Sequence, residues 1–319
     1  MNRNQTSRTS KASTGARRFC LSCGAAEVLA AEDSVWSAGH ACPSCGQAVP
    51  VEDGIPLFAP ALADTVSGFD PAAFARLATM ETGHFWFVPR NALLGGLAAR
   101  YARCARRILE IGCGTGFVLA ELADRFPDAQ LVGSELHPSG LRIARERLGM
   151  RAAFAQMDAR AIPAEAVFDL IGAFDVIEHI EEDEAVLAAI HRALAPGGVA
   201  IIAVPQHPWL WSEADDVAHH ARRYSRGEMN EKLRRAGFDV VFSTSYCALP
   251  LPLMIASRAI ARFRQRAGKA SQRSEVEAAP PRPVNAALRS LLRAEVALGM
   301  AGLRLPVGGS RVVVARRPA

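Results

Sequence analysis

From about residue 105 onward, short apolar runs alternate with longer stretches of helical periodicity. The runs fall near 107–112, 131–135, 152–157, 168–175 and 199–204, and the periodic segments near 117–126, 138–148 and 181–194. The runs are apolar throughout rather than alternating, which predicts strands covered on both faces and therefore a parallel sheet with helices on either side. Right-handed crossovers then place any ligand at the carboxyl ends of the strands, where the strand order reverses. Phe238–Tyr246 and Ser310–Arg316 add a sixth and a seventh strand, and Pro196-Gly-Gly198 turns the chain from the helix ending near 194 into the fifth.

The flanking segments follow other patterns. Residues 1–18 are polar, with Arg3, Arg8, Lys11, Arg17 and Arg18, and read as a disordered basic tail; they lack the apolar face of an organelle transit peptide. Residues 19–58 hold four of the seven cysteines, and a proline- and alanine-rich connector runs from Pro56 to Pro71. Two helices over 71–104 are expected to cap the main domain. They contain His84-Phe-Trp-Phe-Val-Pro-Arg90, an aromatic cluster open to two readings: core packing of the cap, or a lid with His84, Trp86 and Arg90 facing a pocket. The segment 247–309 is a helical insertion between the last two strands. Its apolar start, Cys247–Ala256, is interrupted by two prolines and runs into Ser257–Arg266, where Arg258, Arg262 and Arg266 recur every four residues. A loop is expected from Gly268 to Pro283. The helix Val284–Leu303 then sets Leu288, Leu291, Leu292, Val296 and Leu303 on one face and Arg289 and Arg293 on another.

Composition changes this picture in two places. The net charge of +5 is unevenly spread: from Arg258 to the end there are thirteen Lys/Arg against three acids, so the rest of the chain is net acidic. A basic, amphipathic end suits an anionic membrane surface, and packing against the sheet accounts for the same apolar residues. No apolar run reaches the ~20 residues of a membrane-spanning helix, and no secretory leader is evident, so the expected location is cytoplasmic, with peripheral docking on a membrane as an option. The second place is the cysteines. Cys20-Leu-Ser-Cys23 and Cys42-Pro-Ser-Cys45 have the spacing of a tetrahedral zinc site rather than of a disulfide framework, and Gly24 and Gly46 suit the turn after each pair. The segment Cys42–Pro56 resembles zinc ribbons found beside methyltransferases. Cys104, Cys113 and Cys247 read as isolated buried residues.

The chemistry concentrates in Arg107-Ile-Leu-Glu-Ile-Gly-Cys-Gly-Thr-Gly-Phe117, a strand entering a glycine turn and then a helix. Gly112, Gly114 and Gly116 allow close backbone approach to a ligand, and the helix directs free N–H groups toward it. Glu135, nineteen residues beyond Gly116, suits a carboxylate holding the two hydroxyls of a ribose, so the first inference is an adenosine-containing cofactor. The Gly-x-Gly-x-Gly spacing already differs from the dinucleotide pattern.

Together with Gln156-Met-Asp158, Phe168–Ile180 (containing Asp175-Val-Ile-Glu-His179) and Leu194–Pro205, the turn resembles the class I S-adenosylmethionine (SAM)-dependent methyltransferases over roughly 105–246 plus the last strand. The resemblance implies a Rossmann-like α/β sheet of seven strands in the order 3-2-1-4-5-7-6, the seventh antiparallel, with the small zinc ribbon ahead of it. It implies SAM held by Gly112, Gly114 and Gly116 around the methionine, by Glu135 and Leu136 at the ribose, by Asp158 at the adenine, and by Glu110 and Asp175 near the turn and the sulfonium. Asp175 as a helix cap is the alternative. The loop Val204–Ser225 resembles a His-x-Arg-Arg-Tyr loop in a methyltransferase subset. There Trp209 and Trp211 would wall an acceptor and Arg222 and Arg223 would pair an acidic group, or the loop is a plain surface segment. His179, His207, His220 and Tyr224 are the candidate proton-transfer groups, with His219 adjacent. The implied reaction is methyl transfer to a small-molecule or lipid-linked acceptor, on oxygen. An RNA methyltransferase is the first alternative, weakened because the Asn/Asp-Pro-Pro-Tyr turn is absent after Asp175, which makes nucleic acid the lesser partner. A non-catalytic scaffold of the same fold is the second.

Overall fold

Seven strands build the main sheet: β1 (Arg107–Ile111), β2 (Gln130–Glu135), β3 (Ala153–Gln156), β4 (Phe168–Phe174), β5 (Leu194–Pro205), β6 (Asp239–Tyr246) and β7 (Ser310–Arg316). In space they run 3-2-1-4-5-7-6, as the resemblance implies. β1 through β5 pair in parallel, and β7 lies antiparallel between β5 and β6. Every residue of β1 is buried, which is what a strand covered on both faces requires. Gly172 of β4 sits in register between Glu110 and Ile201, so the central strands stay level where the site forms. β5 is longer than the expected 199–204, because Leu194 already pairs with Phe168 before a register shift at the Pro-Gly-Gly turn.

The computed structural model describes residues 15–63, 73–266 and 280–319. Most of the expected tail, part of the connector and most of the expected loop at 268–283 lie outside these residues, as do the side chains of Arg262 and Arg266. Arg17 and Arg18, assigned to the tail from their polarity, are part of a strand. Arg17–Phe19 pairs with Ala26–Val28 on one side and with Ala164–Glu165 of the main domain on the other. The ribbon is therefore joined to the sheet domain rather than tethered to it. Trp36 packs on Phe168 with ring centroids 5.6 Å apart and donates its indole N–H to the Pro163 carbonyl at 3.3 Å. The Arg107 guanidinium, at the start of β1, donates to the carbonyls of Ala30, Ala31 and Asp33.

The two cap helices, α1 (Ala73–Met80) and α2 (Phe87–Tyr101), precede β1: α1 lies over the glycine turn through Phe74, and α2 runs along one face of the sheet, from Arg90 at the carboxyl ends to Tyr101 beside Arg316. The sheet is dressed by α3 (Phe117–Arg125), α4 (Pro138–Leu148) and α5 (Asp183–Ala193). A short α6 (Glu213–Val217) lies in the loop after β5, and α7 (Arg226–Arg235) follows it. Ser225 starts α7 through a reciprocal cap: Glu228 N–H donates to Ser225 Oγ at 3.2 Å, and Ser225 N–H to the Glu228 carboxylate at 3.3 Å.

The insertion forms α8 (Leu251–Arg266) and α9 (Arg282–Met300). α9 docks on α2, with Gly299 beside Leu93 and close enough that a Cβ on Gly96 would meet Met300 Cε at 3.0 Å. The apolar face expected on this helix is accordingly split. Leu292 is buried and Val296 half-buried, but Leu291 and Leu303 point to solvent. Glu295 faces inward because its carboxylate accepts the Ala248 and Leu249 N–H groups at 2.9 and 2.8 Å, just ahead of α8.

One ion pair fastens the cap to the sheet. Arg90 of α2, 4% exposed, reaches the Asp175 carboxylate at the end of β4 at 2.7 Å and lies over the Trp86 ring at 4.7 Å. Arg90→Leu is expected to cost about 3 kcal/mol, the low end for a buried pair because part of Asp175 still meets water. Chemical denaturation of Arg90→Leu, Asp175→Asn and the double variant measures the coupling; fully additive losses would show that the pair does not hold the cap.

Candidate active site

Gly112, Gly114 and Gly116 all have positive φ, at 62°, 49° and 73°. A Cβ on Gly112 would lie 2.3 Å from Val176 Cγ2, and one on Gly116 would lie 2.7 Å from Leu148 Cδ1, so both conformation and space require glycine. Over Gly114 lies Phe74 of α1, whose ring edge is 3.3 Å from where a Cβ would stand. Glu135, at the end of β2, accepts N–H bonds from Gly114 (3.2 Å), Leu136 (2.8 Å) and His137 (3.1 Å), while burial pushes its carboxyl upward. Glu110, at the opposite wall, is 2% exposed, and its Oε2 has no hydrogen-bond partner. Desolvation raises its carboxyl well above the usual range, with Arg90 opposing the rise.

A cavity of about 1880 Å³ opens over this turn. It is lined by Glu110, Gly112, Gly114, Glu135, Leu136, Asp158 and Asp175, so all the expected cofactor contacts except Gly116 face one space. Gly116 instead gives the close approach between the turn and α4. Asp158 is not free in this state: Arg160 Nε donates to both its oxygens at 3.0 Å and also pairs with Glu182. Asp175 caps no helix; its partner is Arg90. Two contributors carry no motif and escaped the sequence reading. Phe74 roofs the turn, and buried Glu81 accepts from Thr115 at 2.7 Å and from Arg147 at 2.5 Å, tying the cap to the glycine turn. The signal available for Glu81 was a lone acid next to the aromatic cluster.

The two candidate acceptor segments meet at this cavity, though not with every residue expected. His84, Trp86 and Arg90 all line it, and the cluster also packs: the Trp86 carbonyl accepts from Tyr246 OH at 2.7 Å, and burial lowers the His84 imidazole. Lid and core are one element here. In the loop after β5, Trp211, Arg223 and His220 line the cavity, as does His179 from the turn after β4. Burial holds the His179 imidazole down to about 4, which keeps it neutral. His207, Trp209, Arg222 and Tyr224 do not line the cavity. Trp209 is 55% exposed and stacks on His207. Arg222 is spent on Glu181 and Asp183. Tyr224 is fully buried and donates to Asp183 at 2.7 Å, which with desolvation raises its phenol far above the ordinary value and removes it from proton transfer. Arg223, expected to meet an acceptor acid, holds Asp215 at 2.6 Å. The path of the loop makes these assignments, with the run from Trp211 to Ala218 turned to the cavity, and no sequence motif encodes it.

At the other end of the molecule the four ribbon sulfurs lie within 4.8 Å of one another. Cys20 to Cys45 is 3.8 Å and Cys23 to Cys42 is 3.7 Å. A tetrahedron of Zn–S bonds of ~2.3 Å has edges of ~3.8 Å, so the donor set fits a structural zinc. Backbone N–H groups of Cys45 and Ser44 draw the Cys42 thiol down, while the neighbouring sulfurs push the Cys45 thiol up, so the crowded sulfurs do not ionise together without a cation among them.

Comparison with known proteins agrees with this geometry. A methyltransferase-domain family model matches residues 108–198. Trans-aconitate 2-methyltransferase of Methylobacterium radiotolerans is 33% identical over 142 residues, 44% of this chain and 51% of that protein. Demethylmenaquinone methyltransferase of Thermus thermophilus is 33% identical over 104 residues, 31% of this chain and 47% of that one. The chain thus spans about half the length of the curated relatives it matches. Among solved structures, phosphoethanolamine N-methyltransferase 2 of Haemonchus contortus, bound to SAM, superposes with a TM-score of 0.54 at 19% identity, covering 81% of this chain and 60% of that one. The family match thus places a methyltransferase domain at residues 108–198, and the sheet order and glycine turn around it have the form of the class I SAM-dependent methyltransferases.

Proposed function

We propose that the protein transfers a methyl group from SAM to an oxygen of a small-molecule or lipid-linked acceptor. The observation that carries the reading is the convergence of Glu110, the glycine turn, Glu135 and Asp158 on one large cavity. The orphaned Glu110 carboxylate fits the ammonium of the methionine part, Glu135 fits the ribose hydroxyls, and Asp158 fits the adenine amine once Arg160 yields. When bound, SAM supplies an activated methyl on a sulfonium with a neutral leaving group. The protein's own share is orientation: the cap helices and the loop after β5 enclose the acceptor and exclude water. Relatives of matching sequence include an O-methyltransferase of Penicillium expansum, which supports oxygen as the accepting atom.

The insertion supports a lipid-linked acceptor. Leu253, Met254 and Leu288 wall the cavity, and Leu253, Ile260 and Phe263 are 62%, 54% and 74% exposed along α8, next to the basic residues of that end. No helix among the described residues is long and apolar enough to cross a membrane, so contact would be with a membrane surface. The ribbon is assigned one structural zinc on the sulfur geometry above.

Calorimetry with SAM is expected to show one site, weakened at least ~100-fold by Glu135→Ala, the scale of losing two hydrogen bonds to a charged acceptor; no binding by the wild type would reject the proposal. Label from radioactive SAM should then enter a lipid extract, whereas label in RNA would favour the RNA reading. Sedimentation with phosphatidylserine-containing vesicles should carry down the wild type and leave Ile260→Glu/Phe263→Glu in solution, and equal pelleting removes the membrane claim. Elemental analysis of freshly purified protein should give one zinc per chain, lost on Cys42→Ser/Cys45→Ser; a metal-free wild type contradicts the ribbon assignment.

A further inference from the structure

Beside the expected SAM pocket lies a cluster that methyl transfer by positioning alone does not use. Glu178 and His179 occupy the turn after β4, and His220 comes from the loop after β5. One carboxylate oxygen and one nitrogen from each histidine lie within 4.8 Å of one another. Glu178 is 0% exposed, and neither of its oxygens has a hydrogen-bond partner. Two guanidinium groups stand near it and oppose the rise of its carboxyl without hydrogen-bonding it: Arg90 pairs with Asp175 at 2.7 Å, with its Nε and Nη2 buried and making no hydrogen bond, and Arg223 pairs with Asp215 at 2.6 Å. A buried carboxylate with both oxygens unsatisfied costs several kcal/mol unless a cation or donors complete it.

The histidines are oriented for that cation. His220 Nδ1 is held by Asp215 Oδ1 at 2.9 Å, which turns Nε2 toward Glu178 Oε1, 4.0 Å away. His179 Nδ1 is buried and has no hydrogen-bond partner. His220 thus has one nitrogen fixed by an outer carboxylate and one left as a donor, the arrangement that metal-binding histidines use, and His179 adds a buried, unsatisfied nitrogen. Ala221 N–H bonds to the Glu178 carbonyl at 2.8 Å and so pins the loop to the turn. The two rings stand edge to face with centroids 4.9 Å apart.

We propose that Glu178, His179 and His220 bind a divalent first-row transition cation whose open coordination positions face the cavity and take an oxygen of the methyl acceptor. Two imidazoles and one carboxylate suit such a cation better than magnesium or calcium, and three protein ligands leave room for substrate. Closing the donors onto metal bonds of ~2.1 Å needs side-chain movement of roughly 1 Å. The acceptor class that follows is a hydroxyl, or a neighbouring pair of oxygens able to chelate. Its role rests on the proposed methyl transfer. A cation-bound hydroxyl loses its proton to solvent more readily; the oxygen forms a bond to the methyl carbon while the C–S pair returns to sulfur, leaving S-adenosylhomocysteine.

The full-length, zinc-loaded protein titrated with Co²⁺ in a calorimeter tests the site, with absorbance monitored for the cobalt–thiolate band that exchange at the ribbon would produce. One Co²⁺ per chain is expected without that band, weakened at least ~100-fold by Glu178→Gln and by His220→Gln, each checked for unchanged melting and SAM binding. No Co²⁺ uptake by the wild type, or equal uptake by both variants, overturns the cation site. SAM binding in the same samples reports separately on the methyltransferase reading.

Discussion

The constraint on which the site depends is the burial of acids at the carboxyl ends of the central strands. Glu110, Asp175 and Glu178 all crowd the mouth of β1 and β4, and desolvation raises Glu110 and Glu178 well above the usual carboxylate range. The cation that answers them from the cap is Arg90, which holds Asp175 directly and opposes the rise at both other acids. Because Arg90 belongs to α2, the charge balance of the site and the attachment of the cap are one interaction. Trp86 covers the guanidinium, so water meets the pair only on the Asp175 side, where it faces the cavity.

Around this centre the remaining devices hold separate segments to a common geometry. Glu81 joins the cap to the glycine turn through Thr115 and Arg147. Asp215, itself lowered below the ordinary carboxylate range by His220 and Arg223 against its desolvation, orders the loop after β5. Gln206 and Tyr224 bring the two ends of that loop together, leaving its middle to face the cavity. The loop can therefore be long and polar and still present fixed side chains, because Asp215 ties Ser212, His220 and Arg223 together.

The ribbon illustrates how far local patterns reach. Its cysteine spacing pointed to a metal cluster, and the sulfurs do converge. Its attachment could not be read, because Arg17 and Arg18 look like tail residues until Ala164–Glu165, nearly 150 positions away, supplies a pairing edge. The same holds for α9, whose apolar positions outnumber what docking on α2 buries, so periodicity alone could not say which leucines stay exposed.

The sequence by itself determined the alternation of strands and helices, the glycine turn with Glu135 and Asp158, and the cysteine quartet. Each is a local signal: buried strands need continuous apolar runs, a positive φ needs glycine, and a tetrahedral site needs paired thiols. Only the tertiary structure decided how the charged and aromatic residues divide their work. Arg223, Arg222 and Tyr224 are neighbours in sequence, yet Arg223 meets Asp215 at the cavity while the other two turn to Asp183. Glu178, His179 and His220 come together only because the loop after β5 is pinned across the end of β4. Partners of that kind are chosen by burial, since a desolvated charge takes whatever opposite charge the packed fold brings within reach.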